Sequence, residues 1–258
     1  MPTVYLDGFP VQLFHAMHDV TEDLIRDYQL TAMNADEPFT LADIAVARQA
    51  KHWVAAAADH QPDGVTLQLD LAMEQVAAFP VLQAVLDHAN RLAREERLLA
   101  PPVLPEVAAF RNWLCDQVAG QPRGAQRETW RLPDTLEQPS RTPASWPELS
   151  SLPPGQAWLV GDDSNRIIGA SPAALELLGW ESLVGERILA VIPPAFRERH
   201  VAAFTRSLLR DEYPLLGKPL AVRALRSDGT EIDVTLTLSR HEAEGDRTVF
   251  LAQLDPTG

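Results

Sequence analysis

A single cysteine, Cys115, occurs in the 258 residues, so no disulfide can close within the chain. No apolar run approaches the roughly 20 residues of a membrane span. The opening stretch, MPTVYLDGFPVQLF, has neither the basic flank nor the apolar core of a secretory signal. Together these absences predict a cytoplasmic protein with no membrane partner. Excess positive charge is missing too, the formal net charge being −14. Residues 1–120 carry 17 acids and 7 bases, and residues 157–258 carry 15 and 11. A field of that sign repels phosphate backbones, so nucleic acid is not an expected partner. The acidic faces are read as solubilising. Glycine-rich phosphate loops, a nucleophile elbow and Cys-x-x-Cys pairs are all absent. So are a phosphoacceptor box, a cyclase signature and a helix-turn-helix. No catalytic residue can be named, and a non-enzymatic protein is expected. His15 and His18 stand one turn apart near Asp19 and Glu22, but no second helix supplies the matching Glu-x-x-His pair of a di-metal bundle. They are read as a solvated helix face.

What is present suffices for a packed core, since 46% of residues are hydrophobic. The composition breaks between Gly120 and Ala157, where seven of the 21 prolines fall and no helical or strand period survives. Residues 121–156 are therefore expected to be an extended, semi-stiff linker, with Trp130 and Trp146 able to pack locally. Upstream, residues 1–120 are expected to form a helical, bundle-like domain. Leu13, Met17, Val20 and Leu24 make one apolar stripe. A second helix follows Thr40 as N-cap and stops at Pro62–Asp63–Gly64. A third covers AMEQVAAFPVLQAVLDHANRLAREERLLA, with Pro80 as a kink or a start. A fourth is opened by Pro105 and closed by Gly120. TVYLDG and VTLQLDL are expected to pair as two short strands.

Residues 157–258 read differently. AWLVG and RIIGA are short strands around the turn-rich DDSN. SPAALELLGW is a helix with Ser171 as N-cap, Pro172 at the first position and Gly179 just past the end. Another helix starts at Pro193–Pro194 and runs to about Arg210. PLAVRALR turns through Ser227–Asp228–Gly229–Thr230 into EIDVTLTLS, whose Ile232, Val234, Leu236 and Leu238 alternate with Asp233, Thr235, Thr237 and Ser239. TVFLAQL closes the set. The fold class is α+β.

That order, with WLVGDDSNRIIGASPAALELLGW, LVGERILAVIPPAFRERH, LLGKPLAVRALRSDGTEIDVTLTLS and FLAQLD, resembles a PAS sensor domain over about 100 residues. The resemblance implies a five-stranded antiparallel sheet with small helices on one face and a ligand or partner pocket between them. PVQLF, VTLQLDL and PPVLPEVAAFRNWLCDQVAG make the first half similar to the helical region ahead of sensor or anti-sigma-type modules in actinobacterial regulators.

PAS domains are known to hold haem, flavin, small metabolites or only other proteins, and fold alone does not choose among them. For flavin, the resemblance implies a cysteine where this chain has Ile188; Gln253 takes the place of a flavin-contacting glutamine. For haem, His200 matches the iron-binding histidine of oxygen-sensing PAS domains and Arg206 a propionate-pairing arginine, with Leu215, Leu236 and Leu238 as an apolar distal side. Against haem, Leu220 stands where the gas-contacting arginine would be and Pro214 where a propionate-contacting histidine would be. In haem-free relatives the same run ends in a histidine that packs or caps locally. His200, Arg206, Leu215, Leu220, Leu236, Leu238 and Gln253 are thus the candidate pocket residues. The expected function is signal transduction by ligand sensing or protein–protein contact, in a homodimer, with a haem-based gas or redox sensor as the alternative.

Overall fold

The structure, a computed structural model, describes residues 1–33, 37–134, 136 and 141–256. Parts of the expected linker, at 135 and 137–140, and the last two residues lie outside the described set. Packing divides the chain into two units, Met1–Pro139 with Glu198–Arg210, and Ser140–Arg197 with Asp211–Gly258.

The first unit contains β1 (Thr3–Phe9), α1 (Val11–Ala32), α2 (Leu41–Ala58), β2 (Val65–Asp70), α3 (Met73–Arg94) and α4 (Pro105–Gly120). The helices form where apolar periodicity and local signals agree. Thr40 and Asp43 close a reciprocal capping box, the Thr40 hydroxyl accepting from the Asp43 N–H and the Asp43 carboxylate from the Thr40 N–H. Pro105 sits in the first turn of α4, where its missing N–H costs nothing. Pro80 lies within α3 and does not start it; its ring is exposed, so water can serve the carbonyl it leaves free. β1 and β2 pair antiparallel, with Val4 opposite Leu69 and Leu6 opposite Leu67, all four buried. Phe9 anchors the sheet to the helices, its ring 5.3 Å from Phe14 and 5.6 Å from Phe110.

The start of the proline-rich stretch is packed on this unit through separate anchors. Gln121 brackets Tyr5 with its side-chain amide, accepting from the Tyr5 N–H at 3.0 Å and donating to the Tyr5 carbonyl at 2.7 Å. The Trp130 N–H donates to the Asp7 carbonyl at 2.9 Å, and its ring meets Phe110 at 5.1 Å and Trp113 at 5.5 Å. Gly8 permits this approach: its φ is +69° and a Cβ there would lie 2.9 Å from Thr129 Cγ2. Glu198 accepts from the Trp130 indole N–H at 2.6 Å, and Arg210 pairs with Asp19 at 3.4 Å.

The second unit is built on β3 (Trp158–Asp162), β4 (Ile167–Ala170), α5 (Pro172–Leu178), α6 (Pro194–Arg210, its first turn belonging here), β5 (Leu220–Leu225), β6 (Glu231–Ala243) and β7 (Arg247–Pro256). A 3-10 turn, Ile188–Val191, precedes α6. The strands form one antiparallel sheet in the order β4-β3-β7-β6-β5. β6 runs four residues beyond the expected end at Ser239, because His241 and Ala243 keep the outward register against β7. One face of the sheet carries Leu159, Ile167, Ala224, Val234 and Leu254, buried against Ala174 and Leu178 of α5, Leu183, and Val191 of the 3-10 turn. The opposite face carries Trp158, Val160 and Val249, buried under Ala144 and Trp146 with Leu149 and Leu152 beside them. Residues 141–152 of the proline-rich stretch are therefore packed too. Their prolines deny them a strand ladder, so individual side chains hold them down.

Candidate functional site

The α5 end of the sheet is fixed by the signals legible in SPAALELLGW. Ser171 is fully buried, and its Oγ accepts the N–H groups of Ala174 at 3.1 Å and Trp158 at 3.0 Å, so one hydroxyl caps a helix and closes a strand. Gly179 ends the helix at φ +72°, and its carbonyl takes the Ser227 hydroxyl. The β5–β6 hairpin is held by Asp228, which accepts from the Thr230 N–H at 2.9 Å and hydroxyl at 2.7 Å. Those two contacts keep the Asp228 carboxyl below its ordinary range.

On this frame the candidate residues separate by sheet face. Leu220 pairs with Leu236, and Leu238 with Ala252; Leu236 and Ala252 pack on the α5-side core. All three leucines are half-buried, so this face passes from a closed core to apolar surface still open. Leu215 lies in the preceding turn and is 47% exposed. Gln253 is on the opposite side. It pairs with Trp158 and Thr237, and shares the face of Val160, Leu251 and Val249. Its amide donates to Asp255 at 3.4 Å. The expectation that Gln253 lines the pocket is therefore corrected, since Ala252 and Leu254 take the inward positions and strict alternation turns the residue between them outward.

His200 and Arg206 belong to the part of α6 that packs with the first unit. Both are half-buried, and the His200 ring stacks on Phe204 one turn later, at 5.8 Å and 11°.

These residues fit neither expected cofactor well. Flavin adduct chemistry needs a thiol, but Ile188 opens the 3-10 turn with a hydrocarbon packed on the core. Cys115 is in α4 of the other unit, where burial pushes its thiol up to about 12. For haem, Leu220 offers no donor, and the Pro214 carbonyl is engaged by Lys218 Nζ at 2.8 Å. Among the described residues, no three His, Cys, Asp or Glu side chains converge to hold a metal ion.

Sequence reasoning missed the buried charges. Lys51 is 1% exposed and gives Nζ to the His18 carbonyl at 3.3 Å, the Thr21 hydroxyl at 3.2 Å and Glu22 at 3.0 Å. Burial holds its pKa below the ordinary lysine value. His18 is half-buried and stacked on His52 at 5.9 Å, so it is not the solvated residue expected; burial lowers its pKa, with Lys51 adding to the effect. Glu37 joins His88 at 2.6 Å and Arg97 at 3.1 Å, with Tyr28 and Phe39 flanking the His88 ring. Arg111 is buried against Asp87. In the second unit, buried Asp162 accepts the N–H groups of Ser164, Arg166 and Ala144, and burial raises its pKa. Only spacing of ordinary helix and turn residues marks these positions in the sequence.

No protein-family model matches the chain. An uncharacterized protein of Azorhizobium caulinodans is 32% identical over 94 residues, which are 35% of this chain and 13% of that protein. The chain thus spans about an eighth of the curated relative it matches. Among solved structures, a PAS domain from Desulfitobacterium hafniense is similar at 15% identity and TM-score 0.33, covering 40% of this chain and 92% of that one. The PAS domain of an HTR-like protein from Haloarcula marismortui is similar at 20% and 0.31, covering 40% and 81%. A light-oxygen-voltage protein of Rhodobacter sphaeroides is similar at 20% and 0.32, covering 40% and 61%. The strand order β4-β3-β7-β6-β5, with α5 and the 3-10 turn on one face, is the five-stranded antiparallel arrangement implied by the sequence resemblance.

Proposed function

We propose that the chain is a non-enzymatic signal-transduction protein of the cytoplasm whose PAS-type unit takes a small apolar ligand on the α5-side face of its sheet, and which pairs with a second copy of itself. The observation that carries this reading is the row Leu220, Leu236 and Leu238, apolar, adjacent and half-buried beside a closed core. A ligand there would stabilise one packing of the sheet over another, and that differential affinity is what a sensor transmits. Native mass spectrometry of the full chain, purified from its own host, tests it. A non-covalent adduct that disappears on denaturation is expected; a bare polypeptide mass, unchanged on adding host extract, removes the ligand reading and leaves protein contact as the role.

Haem through His200 is the second reading, resting on the placement of His200 and Arg206 on one helix, six residues apart. An absorbance scan with added hemin separates the two. The apolar-ligand reading expects no Soret band, whereas a band abolished by His200→Ala would replace it with the haem sensor.

A further inference from the structure

We propose that β2 of the first unit is a self-pairing edge, which joins antiparallel to β2 of a second copy about Gln68 and makes one four-stranded sheet of two β1–β2 ribbons. This assigns a surface to the self-pairing proposed for the chain, and rests on that reading. The two edges of the ribbon differ. β1 is closed on its outer side, where Gln121 takes the Tyr5 N–H and carbonyl and the Trp130 N–H takes the Asp7 carbonyl. β2 is open. The Leu71 N–H donates to the Pro2 carbonyl at 3.1 Å, which sets the phase of the ladder. Val4 with Leu69 and Leu6 with Leu67 then exchange bonds, so Gln68 and Asp70 turn their N–H and C=O groups away from β1, as Thr66 turns its carbonyl. Among the described residues, no donor or acceptor meets those groups. Thr66, Gln68 and Asp70 are all exposed. Val65–Leu71 also lacks the proline, lysine or bulge that guards an exposed edge, and the ribbon's register irregularity falls on β1, between Leu6 and Phe9.

The occupant follows from the strand's own sequence. Val65–Leu71 reads VTLQLDL, which is nearly symmetric about Gln68. In antiparallel register about that residue, Leu67 meets Leu69 of the second copy, Val65 meets Leu71, Thr66 meets Asp70, and Gln68 meets itself. The buried row Leu67–Leu69 continues on the helix side, and the exposed row Thr66–Gln68–Asp70 continues on the open side. The chain already uses this polar pairing within the ribbon. There Thr3 stands opposite Asp70 and Tyr5 opposite Gln68, and the Thr3 hydroxyl donates to the Asp70 carboxylate at 2.6 Å. A slip of one residue would turn the leucines to the open side, and parallel pairing would set Asp70 beside its copy, so both are disfavoured.

Charge sets the conditions. Asp70 is the one ionisable side chain from Val65 to Leu71. It stands four residues from its copy, about 13 Å along the strand, beyond the roughly 8 Å Debye length at physiological ionic strength. Asp7 of β1 is held by Arg127 at 2.6 Å. Asp63 and Glu74 flank the strand at its two ends, so pairing brings each toward the other across the axis. These flanking acids and the net charge of −14 oppose association. Salt therefore promotes the pairing, the reverse of its effect on a contact made by ion pairs.

The test is sedimentation velocity of the full chain over a concentration series at low and high salt. A monomer–dimer equilibrium that tightens with salt is expected. Gln68→Pro removes an N–H that the single chain does not use and leaves the β1–β2 bonds in place, so it should stay at monomer mass over the same series. If circular dichroism shows that variant misfolded, Gln68→Glu takes its place. It sets two carboxylates face to face on the axis and should weaken the dimer about fivefold at low salt. Register is read with a short bismaleimide, to which native Cys115, 1% exposed, is silent. Gln68→Cys puts two thiols about one strand spacing apart, near 5 Å, and should cross-link, whereas Tyr5→Cys lies in the same row about 14 Å from its copy and should not. A folded Gln68→Pro chain that still dimerises, a Gln68→Glu chain that dimerises like the unaltered one, or equal cross-linking at the two positions overturns the edge while self-pairing through another surface stands. Monomer mass at every concentration and salt overturns the edge and the self-pairing reading together. Neither readout depends on whether a small ligand binds.

Discussion

Glu22→Gln and Lys51→Met remove opposite ends of one buried ion pair, and the structure assigns them unequal effects. Lys51 has 1% of its side chain exposed and Glu22 28%, at 3.0 Å separation, with Arg48 holding the other Glu22 oxygen at 2.8 Å. At an effective dielectric near 20 the bare attraction at this distance is about 5 kcal/mol. Glu22 is partly hydrated, and a glutamine carbonyl would still accept one Lys51 bond, so we expect Glu22→Gln to cost roughly 2 kcal/mol. Lys51→Met takes away the buried charge itself. Glu22 keeps Arg48, and Thr21 keeps the Met17 carbonyl at 2.7 Å, so the net change should be within about 1 kcal/mol of zero, of either sign. Hydrogen exchange of α1 and α2 peptides is the assay, because it reads the opening of this helix pair directly. Glu22→Gln should speed exchange there about 30-fold and Lys51→Met by less than about 5-fold. The same pair fixes a pH dependence. Burial lowers the Lys51 pKa in the folded chain, so as pH climbs toward the ordinary value of 10.5 the unfolded chain holds more protons than the folded one. Stability of α1–α2 must then rise with pH relative to Lys51→Met. Equal damage from the two substitutions, or a Lys51→Met chain with the same alkaline gain, would refute the reasoning.

Two further outcomes follow from single buried groups. Ser171→Ala strands the N–H groups of Ala174 and Trp158 in a site with no exposure, and should cost about 2–4 kcal/mol; the expected readout is faster exchange in β3 and α5, and protection unchanged in both would sink it. Cys115, with its thiol pushed up to about 12 and 1% exposed, should not react with a disulfide reagent at neutral pH until the chain is unfolded; stoichiometric labelling of the native chain would contradict its placement.

The fold was legible wherever a local signal and a periodic signal agreed. Thr40, Pro105, Ser171 with Pro172, and Gly179 each bound a helix from within four residues, and the alternation from Ile232 to Leu238 gave that strand its two faces. Gln253 shows where this stops. Its strand was clear, but which side it faces depends on the register against Trp158 and Thr237, both far from it along the chain. The buried charges were hidden for the same reason: Lys51 looks like any helical lysine until Thr21 and Glu22 of another helix surround it. In the proline-rich stretch the two tryptophans were legible as local anchors, whereas Leu149 was not. The prolines there do exclude regular structure, yet Trp130, Trp146 and Leu149 still find apolar surface, because side-chain anchoring needs no backbone period.

The central claim is that sensing chemistry lies on the α5-side face of the sheet, and one comparison of two variants tests it. Leu238→Arg places a charge among Leu236, Leu220 and Ala252, whereas Gln253→Leu alters the opposite face of the same sheet. Native mass spectra of both full-length variants from the host are to be read beside that of the unaltered chain. The account predicts that the adduct is lost from Leu238→Arg and kept by Gln253→Leu; an adduct kept by Leu238→Arg and lost from Gln253→Leu would contradict it.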